Sequence, residues 1–476
     1  MHHNLKLKPM FKKVILLIFI AIHSLVHTQI KLPSFFTDHM VLQQDKNVTI
    51  WGYDKPKSKI KVTGSWGEDA SVKSEKDGSW KVQLKTPIAG GSYTLVIDGS
   101  TTVTIQDVMI GEVWLCSGQS NMQMTVYGYG NQPVNGSQEA ILNAENSKIR
   151  MFTAKRAFHN TPQNNVEGDW QLAAPATVGS FSAAAYFFGK KLESVLDVPI
   201  GLIVTSWGGS SAEAWTDKET LAQFNSIQIP EEVNTKRPNQ SPTALYNGML
   251  HPFIGYAIKG AIWYQGEANR NRASEYNALM AALITSWRSQ WNQGSFPFYF
   301  TQIAPFNYGN GTNSALLREA QLHTMQTLEN TGMAVTLDIG DAKYIHPREK
   351  KTVGDRLAYW ALAKDYGIQG IEYSGPIYKE IKSIANGKIE LLFENSPHGI
   401  NSFGKELTGF EIAGEDKIFY PAKAKIGRSL NVVMVSSEQV PTPVAVRYAF
   451  KNTSEATLFS TAGLPASSFR TDTWEE

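Results

Sequence analysis

Between about residues 107 and 370, short apolar strands alternate with stretches of helical periodicity. The strands include PIGLIVTSW (199–207), IKGAIWYQG (258–266) and GMAVTLDIG (332–340). The helical stretches include 181–196, 276–291 and 318–330. Strands that alternate with helices predict a parallel, doubly wound sheet. The region is therefore predicted to have an α/β fold, with its functional groups at the carboxyl ends of the strands.

The segments on either side of this region have a different pattern. The amino-terminal segment is predicted to contain short strands separated by turn residues, as in NVTIWGY (47–53). The carboxyl-terminal segment is also predicted to contain strands, as in KIELLFEN (388–395). Apolar and polar positions alternate along most of the early strands, which predicts an antiparallel sandwich. The predicted organisation is a β-sandwich at 29–106, an α/β catalytic domain at 107–372 and a β-rich region at 373–476.

Residues 1–28 predict export. Lysines precede the apolar run VILLIFIAI, and the segment then turns polar at His27 and Thr28. This is the layout of a secretory signal peptide, and the run is short for a membrane span. The mature protein is predicted to be secreted or periplasmic, with no integral membrane span after signal cleavage.

Charge and cysteine content argue against several classes of function. The formal net charge is +2 and only 18% of residues are charged, with Lys and Arg scattered along the chain. This balance gives no electrostatic basis for nucleic-acid binding. Cys116 is the only cysteine, and no zinc-like spacing of Cys and His occurs, so we predict neither a disulfide nor a metal site. Cys116 itself is predicted to be a buried packing residue.

The stretch GEVWLCSGQSNMQM (111–124) is predicted to be a buried strand that ends in a sharp turn with a serine. Its apolar run Val113–Cys116 is typical of a buried parallel strand, and small polar residues then end that strand. Such a break holds a hydroxyl at the edge of the sheet, which makes Ser120 a candidate nucleophile.

The whole segment resembles the nucleophile block of the sialate O-acetylesterase family, within the SGNH (GDSL-like) hydrolases. The resemblance extends to LPSFFTDHMVLQQ, to TALYNGMLHP (243–252) and to the closing stretch that ends AGLPASSFRTDTW, so it covers nearly the entire mature chain. It implies an SGNH-type α/β fold and a serine esterase that needs no metal or organic cofactor. It also implies that Ser120 attacks the acetyl ester.

The resemblance implies a base and leaves its orienting acid open. The base is His346, in a block that resembles the family's Ile-His-Pro. Family members usually carry Asp directly before that block, whereas this chain has Tyr344. Asp341 is slightly preferred as the orienting acid and Asp338 is the alternative. A Ser-His dyad whose ring is oriented by a backbone carbonyl is an equal possibility.

Three groups are predicted to bind the oxyanion. These are the backbone N–H of Ser120, the backbone N–H of Gly209 (with Gly208 as the fallback) and the side-chain amide of Gln265. The last two lie in SWGGSSAEAW (206–215) and WYQGEAN (263–269), which resemble the second and third family blocks.

Further residues of these blocks are candidates for sugar binding. They are Glu213, Trp215, Glu267 and Asn269. Glu213 and Glu267 have an alternative interpretation as salt-bridged scaffold. The loop 127–137, which closely follows Ser120, is predicted to border the site.

The first functional hypothesis is an exported serine esterase that removes O-acetyl groups from a carbohydrate, most specifically sialic acid. The nearest alternative is an esterase for acetylated xylan or another polysaccharide. A third hypothesis is a carbohydrate-binding protein with a decayed site, supported by Tyr344 at the place of the usual acid. The sequence does not predict the oligomeric state.

Overall fold

The computed structural model describes residues 29–474. The predicted signal peptide at 1–28 lies outside the described residues. Between 29 and 474, no helix is long and apolar enough to cross a membrane. Strands and helices alternate in the middle of the chain and strands dominate both ends, so the predicted α/β class with flanking β regions is confirmed.

The amino-terminal region consists of strands that form two layers with an apolar core between them. They are β1 (Val41–Gln43), β2 (Asn47–Tyr53), β3 (Lys59–Gly64), β4 (Glu68–Lys73), β5 (Ser79–Lys85), β6 (Gly90–Asp98) and β7 (Thr102–Gly118). In β2 the residues Val48 and Ile50 are buried while their neighbours are less so, as the alternating sequence predicts. β2 and β5 form one layer, and the other strands form the second.

The middle region adds six strands and all eight α-helices among the described residues. The strands are β8 (Asn146–Thr153), β9 (Trp170–Ala173), β10 (Ile200–Ser206), β11 (Gly260–Tyr264), β12 (Phe298–Thr301) and β13 (Thr331–Ala334). The helices are α1 (Ser120–Gln123), α2 (Ser137–Leu142), α3 (Pro175–Val178), α4 (Ala183–Leu196), α5 (Lys218–Leu221), α6 (Ala273–Trp291), α7 (Asn313–Thr327) and α8 (Lys350–Lys364).

The strands of this region form the sheet that carries the site. Their order is β13-β12-β11-β7-β10-β8-β9, and all neighbours are parallel except β8 and β9. The central strand is β7, whose first half also pairs with β6 of the amino-terminal region. The predicted boundary at residue 106 therefore falls inside one continuous strand.

Helices cover both faces of this sheet, and β7 shows how the sequence specifies two cores. Val113 and Leu115 pack in the core beneath α6 and α7, whereas Trp114 and Cys116 pack in the core beneath α4 and α8. Because successive side chains of a strand point to opposite faces, a continuous apolar run buries both sides. The prediction that Cys116 is a packing residue is confirmed, since it is fully buried.

The carboxyl-terminal region consists of short antiparallel strands. They are β14 (Ile377–Ala385), β15 (Lys388–Glu394), β16 (Ile400–Asn401), β17 (Phe410–Ala413), β18 (Phe419–Pro421), β19 (Lys423–Ile426), β20 (Val432–Ser436), β21 (Ala445–Tyr448), β22 (Phe459–Ser460) and β23 (Phe469–Arg470). Arg318 of α7 is fully buried and donates to Ser468 Oγ (3.1 Å) and to the carbonyl oxygen of Lys451 (2.6 Å). These hydrogen bonds join the region to the helices that cover the central sheet.

Candidate active site

Three parallel strands end side by side, and this brings the predicted blocks together. Gly118, the last residue of β7, pairs with Ser206 at the end of β10 and with Tyr264 at the end of β11. The carboxyl ends of parallel strands meet at one edge of a sheet. The chain therefore delivers Ser120, the glycines after β10 and Gln265 to the same edge.

The turn that presents Ser120 depends on a glycine. Gly118 has a φ of +140°, and a Cβ there would lie 2.2 Å from the carbonyl oxygen of Tyr264. Only glycine tolerates that backbone conformation and that close approach. Gln119 is extended, and Ser120 then begins the short helix α1 with its side chain half-buried.

The two glycines after β10 have different roles around Ser120. A Cβ at Gly208 would lie 3.4 Å from Ser120 Cβ, so this position borders the predicted nucleophile. The N–H of Gly208 already donates to Gln123 Oε1 (2.9 Å). Between residues 29 and 474, the N–H groups of Ser120 and Gly209 donate to no protein acceptor. These two groups thus remain available to an oxyanion, which favours Gly209 over Gly208.

His346 lies against a turn of the loop that was predicted to border the site. Its Nδ1–H donates to Gln132 Oε1 (2.7 Å), and its ring packs edge-on against Tyr129 with 5.0 Å between the centroids. Tyr129 Oη in turn donates to the carbonyl oxygen of Ser120 (3.0 Å). Tyr129 and Gln132 are joined by two backbone hydrogen bonds of 2.9 Å. One turn therefore contacts both the predicted nucleophile and the predicted base.

The structure does not bring either candidate acid to the imidazole. Asp341 accepts from Arg348 (2.9 Å) and from the backbone N–H of Lys343 (2.8 Å). Asp338 forms two hydrogen bonds with Arg356, of 2.6 and 2.7 Å. Both carboxylates are satisfied by arginine, because charge-assisted pairs of this kind are the strongest partners nearby. The neutral amide of Gln132 occupies the orienting position instead, and the sequence analysis did not single it out.

Gln265 is buried beneath the site and its amide is fully engaged. Its Nε2 donates to the carbonyl oxygen of Ser210 (3.0 Å) and to Asn269 Oδ1 (2.7 Å), and its Oε1 accepts from Tyr276 (2.8 Å). A primary amide has only two N–H donors. Gln265 is therefore not available as an oxyanion donor in this structure.

Three predicted sugar-binding side chains share this buried network. Asn269 donates to Glu213 Oε2 (3.0 Å), and Glu213 also pairs with Arg272. Trp215 is fully buried, donates to Ser210 Oγ (2.8 Å) and packs edge-on against Trp263. The structure thus gives these side chains protein partners and little exposed surface, in line with the scaffold alternative for Glu213.

A second buried network lies directly behind Ser120. Asn121 Nδ2 donates to Glu267 Oε1 (2.6 Å) and to the carbonyl oxygen of Ile345 (3.2 Å), and Asn121 Oδ1 accepts from Lys350 Nζ. Asn121 follows Ser120 and Ile345 precedes His346. The network therefore ties the nucleophile block to the histidine block. Lys350, which the sequence analysis did not single out, is its buried cation.

Burial and charge set the protonation states of these groups. Burial, with a smaller contribution from the Lys350 ammonium, lowers the pKa of His346 to about 4. Burial also lowers the pKa of Lys350 to about 7, which the Glu267 carboxylate opposes, and it raises the pKa of Glu267. His346 is consequently neutral at neutral pH. With Nδ1–H donated to Gln132, its Nε2 carries the free lone pair that a general base requires.

If His346 is the base, as predicted, the acid limb of kcat/KM is expected near pH 4, because the ring must lose its proton to act and its pKa is about 4. Lys350→Met removes a positive charge that opposes protonation of His346. We therefore expect the acid limb to move to higher pH in that variant. A pH profile of kcat/KM measures this shift. The control is Lys351→Met, which removes a largely exposed cation paired with Asp355 and is expected to leave the limb in place. An unmoved limb in a folded Lys350→Met protein would contradict the assignment.

Comparisons with known proteins match the chain to one family of enzymes. A family model described as carbohydrate esterase, sialic acid-specific acetylesterase, matches residues 110–363. The human protein named sialate O-acetylesterase is 31% identical over 75% of this chain and 75% of its own length. The chain belongs to this esterase family. The mouse protein of the same name is 28% identical and covers 92% of both chains.

A solved structure supports the fold of the esterase. The crystal structure of a carbohydrate acetylesterase from Xanthomonas citri aligns with a TM-score of 0.87 at 38% identity, over 94% of this chain and 100% of the other. The predicted family and SGNH-type fold are confirmed. The esterase is a carboxylic ester hydrolase, as predicted, so the hypothesis of a non-catalytic binding protein is set aside.

Proposed function

We propose that this esterase removes O-acetyl groups from sialic acid through an acetyl-serine intermediate on Ser120. The observation that carries this proposal is the Tyr129–Gln132 turn, which contacts the Ser120 backbone and orients the His346 ring. Family membership supports carbohydrate O-acetyl ester hydrolysis as the reaction. The Lys-rich start and apolar run of residues 1–28 support export.

The reaction is a two-step acyl transfer. His346 Nε2 takes the proton of Ser120 Oγ as that oxygen attacks the acetyl carbonyl carbon. The resulting oxyanion accepts from the N–H groups of Ser120 and Gly209, which have no competing protein acceptor between residues 29 and 474. As the tetrahedral species collapses, the bond to the sugar oxygen breaks and His346 gives its proton to that oxygen. Water then attacks the acetyl-serine by the reverse sequence and releases acetate.

No hydrogen bond joins Ser120 Oγ to the His346 ring among the described residues, although the Tyr129–Gln132 turn contacts both residues. Catalytic hydrogen bonds are often long in unliganded enzymes and tighten when substrate binds. The neutral Gln132 stabilises the imidazolium less than a carboxylate does. It nevertheless fixes the tautomer, which is the first requirement for proton transfer from Ser120.

Gln132→Ala is expected to lower kcat about 10- to 100-fold, because a hydrogen bond to a group that becomes charged contributes about 1.5–3 kcal/mol. Gln132→Glu restores an acceptor and adds a negative charge beside the ring. We expect it to keep most activity and to move the acid limb of kcat/KM to higher pH. The control is Gln171→Ala, which removes an exposed side chain whose amide donates to Asp169. Full activity in Gln132→Ala would disprove the orienting role.

An exposed cation favours an acidic sugar as substrate. The guanidinium of Arg156 lies 5.4 Å from the ring centroid of Trp207, the residue directly before Gly208. Among the described residues it forms no ion pair. Its positive charge also reaches Tyr129, where it acts to lower the pKa of the phenol against the larger effect of burial. A carboxylate on the substrate would find a partner here, and sialic acid carries one whereas the acetylated xylose units of xylan do not.

The substrate assignment is tested by acetate release from three esters: O-acetylated sialic acid, acetylated xylan and 4-nitrophenyl acetate. We expect the sialic acid ester to be the best carbohydrate substrate. Arg156→Gln is expected to raise its KM roughly 5- to 10-fold, as suits an exposed charge-assisted contact, and to leave the nitrophenyl ester unaffected. Lys155→Gln is the matched control, since the neighbouring Lys155 pairs with Glu167.

Two other outcomes are informative. If xylan is deacetylated faster and Arg156→Gln changes nothing, the sialic acid assignment fails and the polysaccharide alternative replaces it. If none of the three esters is hydrolysed by the folded protein, the acyl-transfer mechanism fails as well.

A further inference from the structure

A cavity of about 350 Å³ lies where the segment after α8 meets two loops of the carboxyl-terminal region. Glu372 lies in that segment, Ser396 lies in the loop after β15, and Asn431 directly precedes β20. None of these residues takes part in the proposed reaction.

Four side-chain oxygens in the lining of this cavity are buried and have no hydrogen-bond partner. They are both carboxylate oxygens of Glu372, Ser396 Oγ and Asn431 Oδ1. Ser396 is only 2% exposed. Buried polar atoms in folded proteins nearly always have a partner, so four unpartnered oxygens around one cavity require partners from outside the chain, either water or a bound ion.

Backbone geometry holds the neutral oxygens in place. Asn431 Nδ2 donates to the carbonyl oxygen of Ser396 (3.0 Å), which leaves Oδ1 as the free end of that amide. The carbonyl of Asn431 accepts from the N–H of Phe393 (2.9 Å), and that of Ser396 also accepts from Gly399 (3.0 Å). Asn431 has a left-handed backbone, with a φ of +60°. Hydrogen bonds therefore join the two loops and hold their unpartnered oxygens in fixed positions.

The charge of this site is not balanced by protein. Glu372 takes part in no ion pair within residues 29–474, and Lys364 lies over the ring of Tyr373 (4.5 Å) without an ion pair to a carboxylate. A buried carboxylate is unfavourable unless a cation or several donors neutralise it. The free groups are oxygens, and one of them is a carboxylate, whereas Zn²⁺ prefers nitrogen and sulfur ligands.

We propose that Glu372, Ser396 and Asn431 form a calcium-binding site that fastens the segment after α8 to the carboxyl-terminal loops. Ca²⁺ accepts carboxylate, amide and hydroxyl oxygens in flexible geometry and completes its shell with water, whereas Mg²⁺ demands a stricter octahedron. A single carboxylate suits the weak affinity of extracellular sites, about 10⁻⁴–10⁻³ M. The site contributes to stability, because a ligand that binds only the folded protein shifts the unfolding equilibrium.

The test uses the mature chain after treatment with EGTA. We expect 5 mM CaCl₂ to raise Tm by about 2 °C or more, and MgCl₂ at equal ionic strength to have a smaller effect. Bound Tb³⁺ is expected to show emission sensitised by Tyr373, which lines the cavity, and by Trp360, whose ring centroid is 4.7 Å from that of Tyr373. Ca²⁺ should displace this emission.

Variants separate the site from general ion effects. Glu372→Gln is expected to abolish both the Ca²⁺-dependent Tm shift and the Tb³⁺ emission, and Ser396→Ala to weaken both. The matched control is Glu390→Gln on β15, whose carboxylate accepts from Ser383 at the surface and which should respond as wild type does. Equal effects of Ca²⁺ and Mg²⁺ on wild-type Tm, without saturable Tb³⁺ emission, would overturn the proposal. So would an unchanged response of folded Glu372→Gln.

Discussion

Ser120→Ala is expected to lower kcat for acetyl ester hydrolysis by about 10⁴-fold or more, since removing the nucleophile of a serine hydrolase costs up to about 10⁶-fold. The substitution removes only the attacking oxygen. The turn itself is held by Gly118 and by the contact of Tyr129 with the Ser120 carbonyl, and both are retained. KM and Tm are therefore expected to stay close to their wild-type values. Acetate release, substrate binding by calorimetry and thermal unfolding measure the three quantities.

The control for this variant is Ser194→Ala, on an exposed position of α4 where the hydroxyl donates only to the carbonyl of Lys191. It should retain full activity. A fluorophosphonate should label wild type at Ser120 and leave the Ser120→Ala protein unlabelled. More than one per cent residual kcat in a purified, folded variant would mean that another group is the nucleophile.

His346→Ala is expected to lower kcat by about 10⁴-fold, because proton transfer by a positioned base contributes about 10²–10⁴-fold and Ser120 Oγ is a weak nucleophile without it. Its effect should not add to that of Ser120→Ala. Residues that act as one unit lose nearly all catalysis when either is removed. The double variant is thus expected to resemble each single variant, which single-turnover assays at pH 7 can measure.

His323→Ala tests whether loss of any histidine matters. His323 lies on α7 with its side chain exposed, and its removal should leave kcat unchanged. If the His346→Ala protein loses less than tenfold, the base must be sought elsewhere. Lys350, whose pKa is about 7 and which lies behind Asn121, would then be the next group to test.

The sequence was sufficient for the parts of the site that follow directly from strand ends. The apolar run before Ser120, the run before Gly208 and the run before Gln265 each predict a buried parallel strand. Parallel strands in one sheet end at the same edge, so the three blocks are expected there. They meet because β7 lies between β10 and β11, and that strand order is seen only in the tertiary structure. The fold class follows from the same periodicity, and the two apolar cores on either side of β7 follow from its uninterrupted hydrophobicity.

Hydrogen-bond partners were decided only by the tertiary structure. The local sequence does not predict that Asp341 pairs with Arg348 or that Gln265 donates both amide hydrogens to Ser210 and Asn269. It also does not predict that Gln132 contacts a histidine 214 residues later. Each of these partnerships depends on how distant loops pack, and a polar side chain is equally compatible with several partners until packing selects one. The chain by itself therefore determined which strand ends form the site, and the folded loops determined which polar atoms there remain free for chemistry.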